Sequence, residues 1–326
     1  MTESAAPVHF PVSLDALLEA QERTAGAILR TPLVRLDADT GTPEIYLKLE
    51  CLQPIRSFKI RGAYNAMAKA GQDALAQGVW TCSAGNMAQG VAWSARALGV
   101  ACTVYVPVTA PRTKIDAVKR YGGHVVELPV DEWMAIFRDR KRDGADGVFI
   151  HPYSDPDVMA GNGVAGLEIL EDLPDVAAVI VPWGGGGLLC GIASAFKAKV
   201  SAAKLYASEV DTGAPLGPSL AAGEPVNVPF TPNFVDGIGA PFVNKEMFDL
   251  ARQLIDGSFI VSPAATAAAV RFVLERNRVV PEGASGTAVA AALAGNGGAG
   301  KVVCVISGGN IDSVDLITIL SGGVPG

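Results

Sequence analysis

Short apolar runs and amphipathic stretches alternate along most of the chain. Residues 45–50 read as a strand and 57–70 as the helix after it. The runs 79–82, 102–106, 125–128 and 148–151 are strand-sized, and the periodic stretches 86–98, 114–121 and 131–142 between them read as helices. Gly122 and Gly123 close the second of these helices. Strands at 177–181 and 204–207 flank a helix at 187–199. An alanine-rich helix follows at 263–277, then a last strand at 301–306 and a last helix at 311–320. Such alternation predicts an α/β fold with parallel sheets and helical crossovers. The βαβαβ run at 72–148 reads as a small α/β domain inserted in a larger one made of 1–71 and 149–326, with Pro152 and Pro156 at the return point. Residues 211–245 are dense in proline and glycine and read as long loops near a site. The Ala/Gly-rich stretch 288–301 reads as a helix end plus a turn, and no internal repeat is visible.

Composition narrows the class. The 326 residues are 49% hydrophobic and 18% charged, which suits a compact enzyme better than a disordered or fibrous chain. A formal charge of -7 and the lack of a basic run argue against a nucleic-acid partner. The longest apolar runs are strand-sized, far below the roughly 20 residues of a membrane span. Residues 1–11 lack the charged and apolar regions of a secretory signal. Cys51, Cys82, Cys102, Cys190 and Cys304 form no C-x-x-C pair and read as buried thiols in a reducing cytosol, so a cytoplasmic location is expected. His9, His124 and His151 are scattered, which disfavours a histidine metal site.

Three segments carry chemistry. Lys59, in the run Ser57-Phe58-Lys59-Ile60-Arg61-Gly62, sits just past a strand, where a rigid, partly desolvated amine can form an imine with an aldehyde. Alone it is equally an ordinary lysine at a helix start. The turn Gly184-Gly185-Gly186-Gly187 follows a strand and opens a helix, where backbone N–H groups attract phosphate. It is neither G-x-G-x-x-G nor followed by G-K-[ST], so dinucleotide and P-loop readings are weak. Ser307, in Ser307-Gly308-Gly309-Asn310, stands at the carboxyl end of a strand and can hold a ring nitrogen, or can simply belong to a tight turn. One cofactor, pyridoxal 5'-phosphate, needs all three. The turn Ser83-Ala84-Gly85-Asn86-Met87 can receive a substrate carboxylate by the same helix-start logic, or act as a plain N-cap.

The chain resembles the fold type II pyridoxal-phosphate enzymes, in the branch of threonine and serine dehydratases and serine racemases. The blocks that carry the resemblance run from Thr31-Pro32-Leu33 to Asp312 and include Leu47-Lys48-Leu49-Glu50, Ser57 to Ala63, Ser83 to Gly90, Ala160-Gly161-Asn162-Gly163, Gly184 to Leu188, Asp236-Gly237 and Ser307 to Asp312. It implies a tryptophan synthase β-like fold, with two open twisted α/β domains and the cofactor between them. It implies Lys59 as the imine lysine, with Phe58 behind the ring and Gly237 near its other face. Asn86 would meet the ring hydroxyl, Gly184 to Leu188 the phosphate, and Ser307 the pyridine nitrogen. A homodimer acting on a small amino-acid substrate is also expected.

Four departures shape the functional expectation. Arg56 replaces the glycine usual before Ser-Phe-Lys, and either pairs with a second substrate carboxylate, as in 3-hydroxyaspartate, or points to solvent. Ala84 stands where serine racemases carry a second acid-base serine, which favours elimination. Asn162 and Val164 replace Gln and Thr and are expected to reshape the pocket wall. Glu209 matches the first carboxylate of the family's cation site, but Pro215 stands where the second is expected, so no metal is expected. With the chain ending at Gly326, feedback control through a C-terminal domain is not expected. The resulting expectation is an ammonia-lyase that converts a β-hydroxy-α-amino acid, such as threonine or serine, to a 2-oxo acid and ammonia. A racemase or β-replacement enzyme on the same fold is the nearest alternative, and a non-catalytic nucleotide binder the alternative from another class.

Overall fold

All the strands expected from the apolar runs fall into two sheets. A computed structural model describes residues 11–38 and 43–326. His9 and all but Pro11 of the segment expected to lack a secretory signal lie outside the described residues. The strands are β1 (Leu33–Arg35), β2 (Glu44–Lys48), β3 (Val79–Cys82), β4 (Cys102–Pro107), β5 (His124–Leu128), β6 (Val148–Phe149), β7 (Val176–Pro182), β8 (Lys204–Val210), β9 (Gly257–Val261) and β10 (Lys301–Val305). The helices are α1 (Leu14–Thr24), α2 (Lys59–Leu75), α3 (Asn86–Leu98), α4 (Arg112–Arg120), α5 (Val130–Asp139), α6 (Pro156–Asp172), α7 (Gly187–Ala198), α8 (Leu216–Ala222), α9 (Lys245–Leu254), α10 (Pro263–Asn277), α11 (Gly283–Leu293) and α12 (Ser313–Leu320).

The larger sheet has the order β1-β2-β10-β7-β8-β9, and the smaller has β5-β4-β3-β6. Every pairing is parallel except β1 with β2. The last strand in sequence, β10, therefore lies inside the sheet, between β2 and β7. Both faces of the large sheet are covered, which explains why β7 and β10 read as continuous apolar runs without alternation. Among the described residues no helix is long and apolar enough to cross a membrane.

The small sheet extends to Phe149, one residue past the expected limit of 148. Helix α2 also reaches across the expected boundary. Its Ala63, Ala66 and Met67 pack in one cluster with Val79, Met87 and Val104 of the small sheet's layer. A left-handed Gly71 (φ 81°) interrupts α2, so the regular helix stops near the expected residue 70 and a further turn continues to Leu75.

Helix α6 was not foreseen, and its composition explains why. It is buried on nearly every side and has no polar stripe. Its glycines argue against a helix by propensity, but packing requires them. A Cβ on Gly161 would lie 2.4 Å from the Arg61 carbonyl oxygen of α2. A Cβ on Gly163 would lie 2.7 Å from the Gly191 carbonyl oxygen of α7. Three helix backbones thus touch directly. Asp155 caps α6 by accepting from the N–H groups of Asp157 (2.8 Å) and Val158 (2.9 Å), with Pro156 at the first position.

Asn162 and Val164, expected in the pocket wall, lie elsewhere. Asn162 is buried in the α2–α6–α7 contact, where its Nδ2 donates to the Gly187 carbonyl (3.4 Å), and Val164 belongs to the large-domain core.

A charge-neutral cluster fixes the start of α2. Lys48, Glu50, Arg61 and Glu168 are all buried. Arg61 donates to Glu50 from Nε (2.7 Å) and to Glu168 from Nη1 (2.8 Å), while Lys48 Nζ contacts Glu168 at 2.6 Å. Thr31 Oγ1 donates to Glu50 at 2.6 Å, and Gln53 Nε2 donates to the Leu29 carbonyl at 2.8 Å. Burial pushes the Glu50 carboxyl up, but the Arg61 guanidinium outweighs it and holds the group below the usual carboxylate range. The stabilisation from Glu50 is therefore present above the unfolded-state pKa and is lost as pH falls through the folded one. Removing Glu168 leaves Lys48 and Arg61 to share the single carboxylate of Glu50, one buried positive charge in excess. Glu168→Ala should thus lower the unfolding free energy by about 3–5 kcal/mol, read from urea denaturation; a midpoint equal to wild type would show the cluster to be energetically idle.

Candidate active site

The loop before α2 and the loop after β10 form one structural unit. Ser57 and Gly308 make an antiparallel bridge. Phe58 N donates to the Ser307 carbonyl (3.0 Å), and Gly309 N donates to the Arg56 carbonyl (2.9 Å). Ser285, in α11, locks the same turn: its hydroxyl donates to the Gly308 carbonyl (2.8 Å) and accepts from Gly308 N (3.0 Å). A Cβ at 308 would lie 2.4 Å from a Glu282 carboxylate oxygen, and one at 309 would lie 2.6 Å from the Val280 carbonyl oxygen. Close approach, not a turn angle, fixes both glycines.

Between the two sheets lies a cavity of about 420 Å³, at the carboxyl ends of β3, β7 and β10. Phe58, Lys59, Ser83, Ala84, Gly85, Asn86, Met87, Gly184, Gly185, Gly186, Gly187, Leu188, Gly237 and Ser307 all line it. Arg56 does not. It is exposed and holds φ at 60°, in the left-handed region that glycine occupies without strain. Of the two readings open for Arg56, its exposure outside the cavity fits the solvent-facing one, on a strained turn.

Lys59 is the first residue of α2. Its Nζ donates to the Pro152 carbonyl (2.6 Å) and lies 5.2 Å from the centre of the Phe58 ring. Burial pushes its pKa down to about 8, against the opposing pull of Glu282. Such an amine is neutral in a useful fraction near physiological pH.

Opposite stands the glycine turn. Gly186, the N-cap of α7, has φ 88°. A Cβ on Gly185 would lie 2.2 Å from the Tyr153 ring, and one on Gly187 would lie 2.5 Å from the Tyr153 carbonyl oxygen. Tyr153 is itself held by Asn244, whose Nδ2 donates to its hydroxyl at 2.6 Å. The first-turn N–H groups of α7 have no intrahelical acceptors, so a cradle of backbone donors faces the cavity. Ser307 is buried, with Oγ 3.3 Å from Ser285 Oγ. An amine, a phosphate cradle and a hydroxyl on one cavity fit pyridoxal phosphate.

Glu282 was missed. It is the N-cap of α11, lines the cavity, and accepts from Asn86 Nδ2 at 3.0 and 3.1 Å. Burial pushes its carboxyl up to about 6, against the lowering effect of hydrogen bonds from Asn86 and Asn310. The available signal was a lone acid in the small-residue run from Pro281 to Gly286. The small sheet's side supplies Trp133 and Phe137 from α5 and Lys114 from α4, which pairs with Asp236. Glu209 is saturated by protein groups. It accepts from Leu216 N (2.8 Å), Gly217 N (2.9 Å) and the Ser258 hydroxyl (2.6 Å), and burial raises its pKa. Among the described residues no group of three or more His, Cys, Asp or Glu is placed to hold a metal.

Known proteins resemble this chain over most of its length. An L-threonine ammonia-lyase of Geobacter sulfurreducens is 40% identical over 314 residues, 94% of this chain and 77% of that protein. The catabolic L-threonine dehydratase of Escherichia coli K12 is 38% identical over 311 residues, 93% of this chain and 94% of that protein. Maize serine racemase superposes with a TM-score of 0.87 at 31% identity, covering 94% of this chain and 96% of the other. The pyridoxal-phosphate dependent enzyme family matches residues 24–308, and with the lysine, glycine turn and serine converging on one cavity, the chain belongs to that family.

Proposed function

We propose that the protein is a pyridoxal-phosphate dependent ammonia-lyase that converts L-threonine or L-serine to a 2-oxo acid and ammonia. The observation that carries this reading is that Lys59, the glycine turn and Ser307 line one cavity, with alanine at position 84. The cofactor, when bound, supplies the electron sink that acidifies the α-carbon of the amino acid. The first turn of α7 holds the phosphate and Ser307 faces the ring nitrogen. The turn from Ser83 to Asn86, at the start of α3, takes the substrate carboxylate. Lys59 removes the α-proton. The β-hydroxyl leaves as water, and hydrolysis of the released product gives the 2-oxo acid and ammonium. Trp133 and Phe137 cover the site from the small sheet and exclude water.

The likeness to maize serine racemase keeps racemisation as the second reading. Ala84 weighs against it, because no hydroxyl stands there to move a proton on the second face. For the substrate side chain, the cavity offers the apolar Trp133, Phe137 and Ile238. Its cations are Lys59 and Lys114, the latter already paired with Asp236. A second carboxylate therefore lacks a partner, and threonine or serine fits better than 3-hydroxyaspartate. We keep the homodimer and the cytoplasmic location in this reading; sedimentation velocity and fractionation of the source cells decide them.

Lys59→Ala should lower turnover of threonine at least roughly 1000-fold, while circular dichroism stays that of the native fold. Turnover within tenfold of wild type would remove the assignment. The pH dependence has a defined sign. Only the neutral amine captures an aldehyde, so uptake of pyridoxal phosphate by the apoprotein should speed up as pH rises and level off above about 8; a rate that is flat below that value contradicts a depressed lysine. Arg56→Gly should relieve ~1 kcal/mol of left-handed strain and leave the threonine to 3-hydroxyaspartate ratio of kcat/KM unchanged. A rise in that ratio, through loss of activity on 3-hydroxyaspartate, would put the guanidinium back at the substrate.

A further inference from the structure

The contact between Asn86 and Glu282 joins the two sheets' layers across the cavity, and a third residue completes it. Asn310, in the loop after β10, donates from Nδ2 to Asn86 Oδ1 (2.8 Å) and to the Ile55 carbonyl (2.9 Å). Its backbone N donates to Glu282 (3.1 Å). Asn310 does not line the main cavity. It lines a second one of about 150 Å³, on whose wall Asn86 and Glu282 also stand.

The network admits one arrangement of the two amides. An ionised carboxylate and a backbone carbonyl only accept. Ile55 therefore forces Asn310 to present its NH2 group, which then reaches Asn86 Oδ1 as well. Glu282 forces Asn86 to present its own NH2 group. The two carboxylate oxygens subtend far less than the angle between two N–H bonds, so Glu282 engages one hydrogen of Asn86 Nδ2 and leaves the other unused. Turning the Asn86 amide over would set Oδ1 against a carboxylate and Nδ2 against a second NH2 group.

We propose that Asn310 is a positioning residue which, with Glu282, locks the Asn86 amide so that an N–H faces a ligand in the cavity and the carbonyl oxygen does not. This rests on the reading that Asn86 meets the cofactor's ring oxygen. The lock makes that contact a hydrogen bond to oxygen; an unlocked amide would oppose oxygen to oxygen for part of the time.

The test is a double-mutant cycle on the affinity of the resolved apoprotein for pyridoxal 5'-phosphate, together with the visible absorption bands of the reconstituted holoenzyme. Asn310→Asp keeps the shape but turns a donor into an acceptor, so Asn86 has acceptors on both sides and neither orientation is selected. It should weaken cofactor binding about tenfold and change the ratio of the visible bands. In an Asn86→Ala background the same substitution should change affinity by less than about twofold, because nothing remains to be oriented. A charge effect or a folding defect would persist in both backgrounds, and equal losses in the two overturn the lock. If Asn310→Asp does not fold, Asn310→Ala in the same cycle answers the question with the same signs. If Asn86→Ala itself leaves affinity and bands unchanged, the cofactor contact of Asn86 is wrong and the lock falls with it. If Asn86→Ala perturbs both but the Asn310 variants perturb neither, the lock alone is wrong.

Discussion

The distance between helices α2, α6 and α7 is set by backbone meeting backbone, and the active site depends on that distance. The Arg61 carbonyl stands where a side chain at position 161 would begin, and the Gly191 carbonyl where one at 163 would begin. Lys59 opens α2 and Gly187 opens α7. Direct contact through α6 therefore holds the two helix starts, and with them the Lys59 backbone and the phosphate cradle, at a spacing set by main chain alone. The four buried charges supply orientation. Arg61 sits two residues after Lys59 and is gripped by carboxylates from two other elements, so α2 cannot rotate about its axis without breaking them.

Much of this was legible in the chain. Strands such as β3 and helices such as α3 and α10 were found to the residue, because each has a clear period and clean stops. The convergence of Lys59, the glycine turn and Ser307 on one cavity was legible because each part needs a residue type that few other roles need in that place. Part of what stayed hidden has one cause: α6 is surrounded by protein, so it lacks the polar face by which an amphipathic helix announces itself. Glu282 was hidden for a related reason: its function comes from burial and from neighbours at positions 86 and 310, which sequence distance conceals. Burial does not account for α1 and α9, which are amphipathic and were not foreseen either. Arg56 was ambiguous for a different reason. Its unusual identity left substrate recognition open beside the solvent-facing reading, whereas the position is defined by a backbone angle.

The site also separates its charges by environment. Lys59 and Glu282 face one cavity, and desolvation moves each toward its neutral form. A lysine and a carboxyl that both titrate nearer neutrality give the cavity proton carriers without a fixed net charge. The ion pairs around Arg61 lie outside the cavity, and on its wall Lys114 is paired with Asp236.

The place of β10 has a consequence for how the protein is made. It is the last strand in the sequence, yet it lies between β2 and β7, and it delivers Ser307 and the loop that pairs with Ser57. During synthesis about 300 residues must emerge before that slot is filled. Until then β2 and β7 expose unpaired edges, and the amine, glycine turn and serine share no cavity. The small sheet has no such debt, since all its strands lie between residues 79 and 149. The nascent chain can thus fold its middle first and wait, with a split large sheet, for β10; capture of the cofactor belongs after that strand has paired.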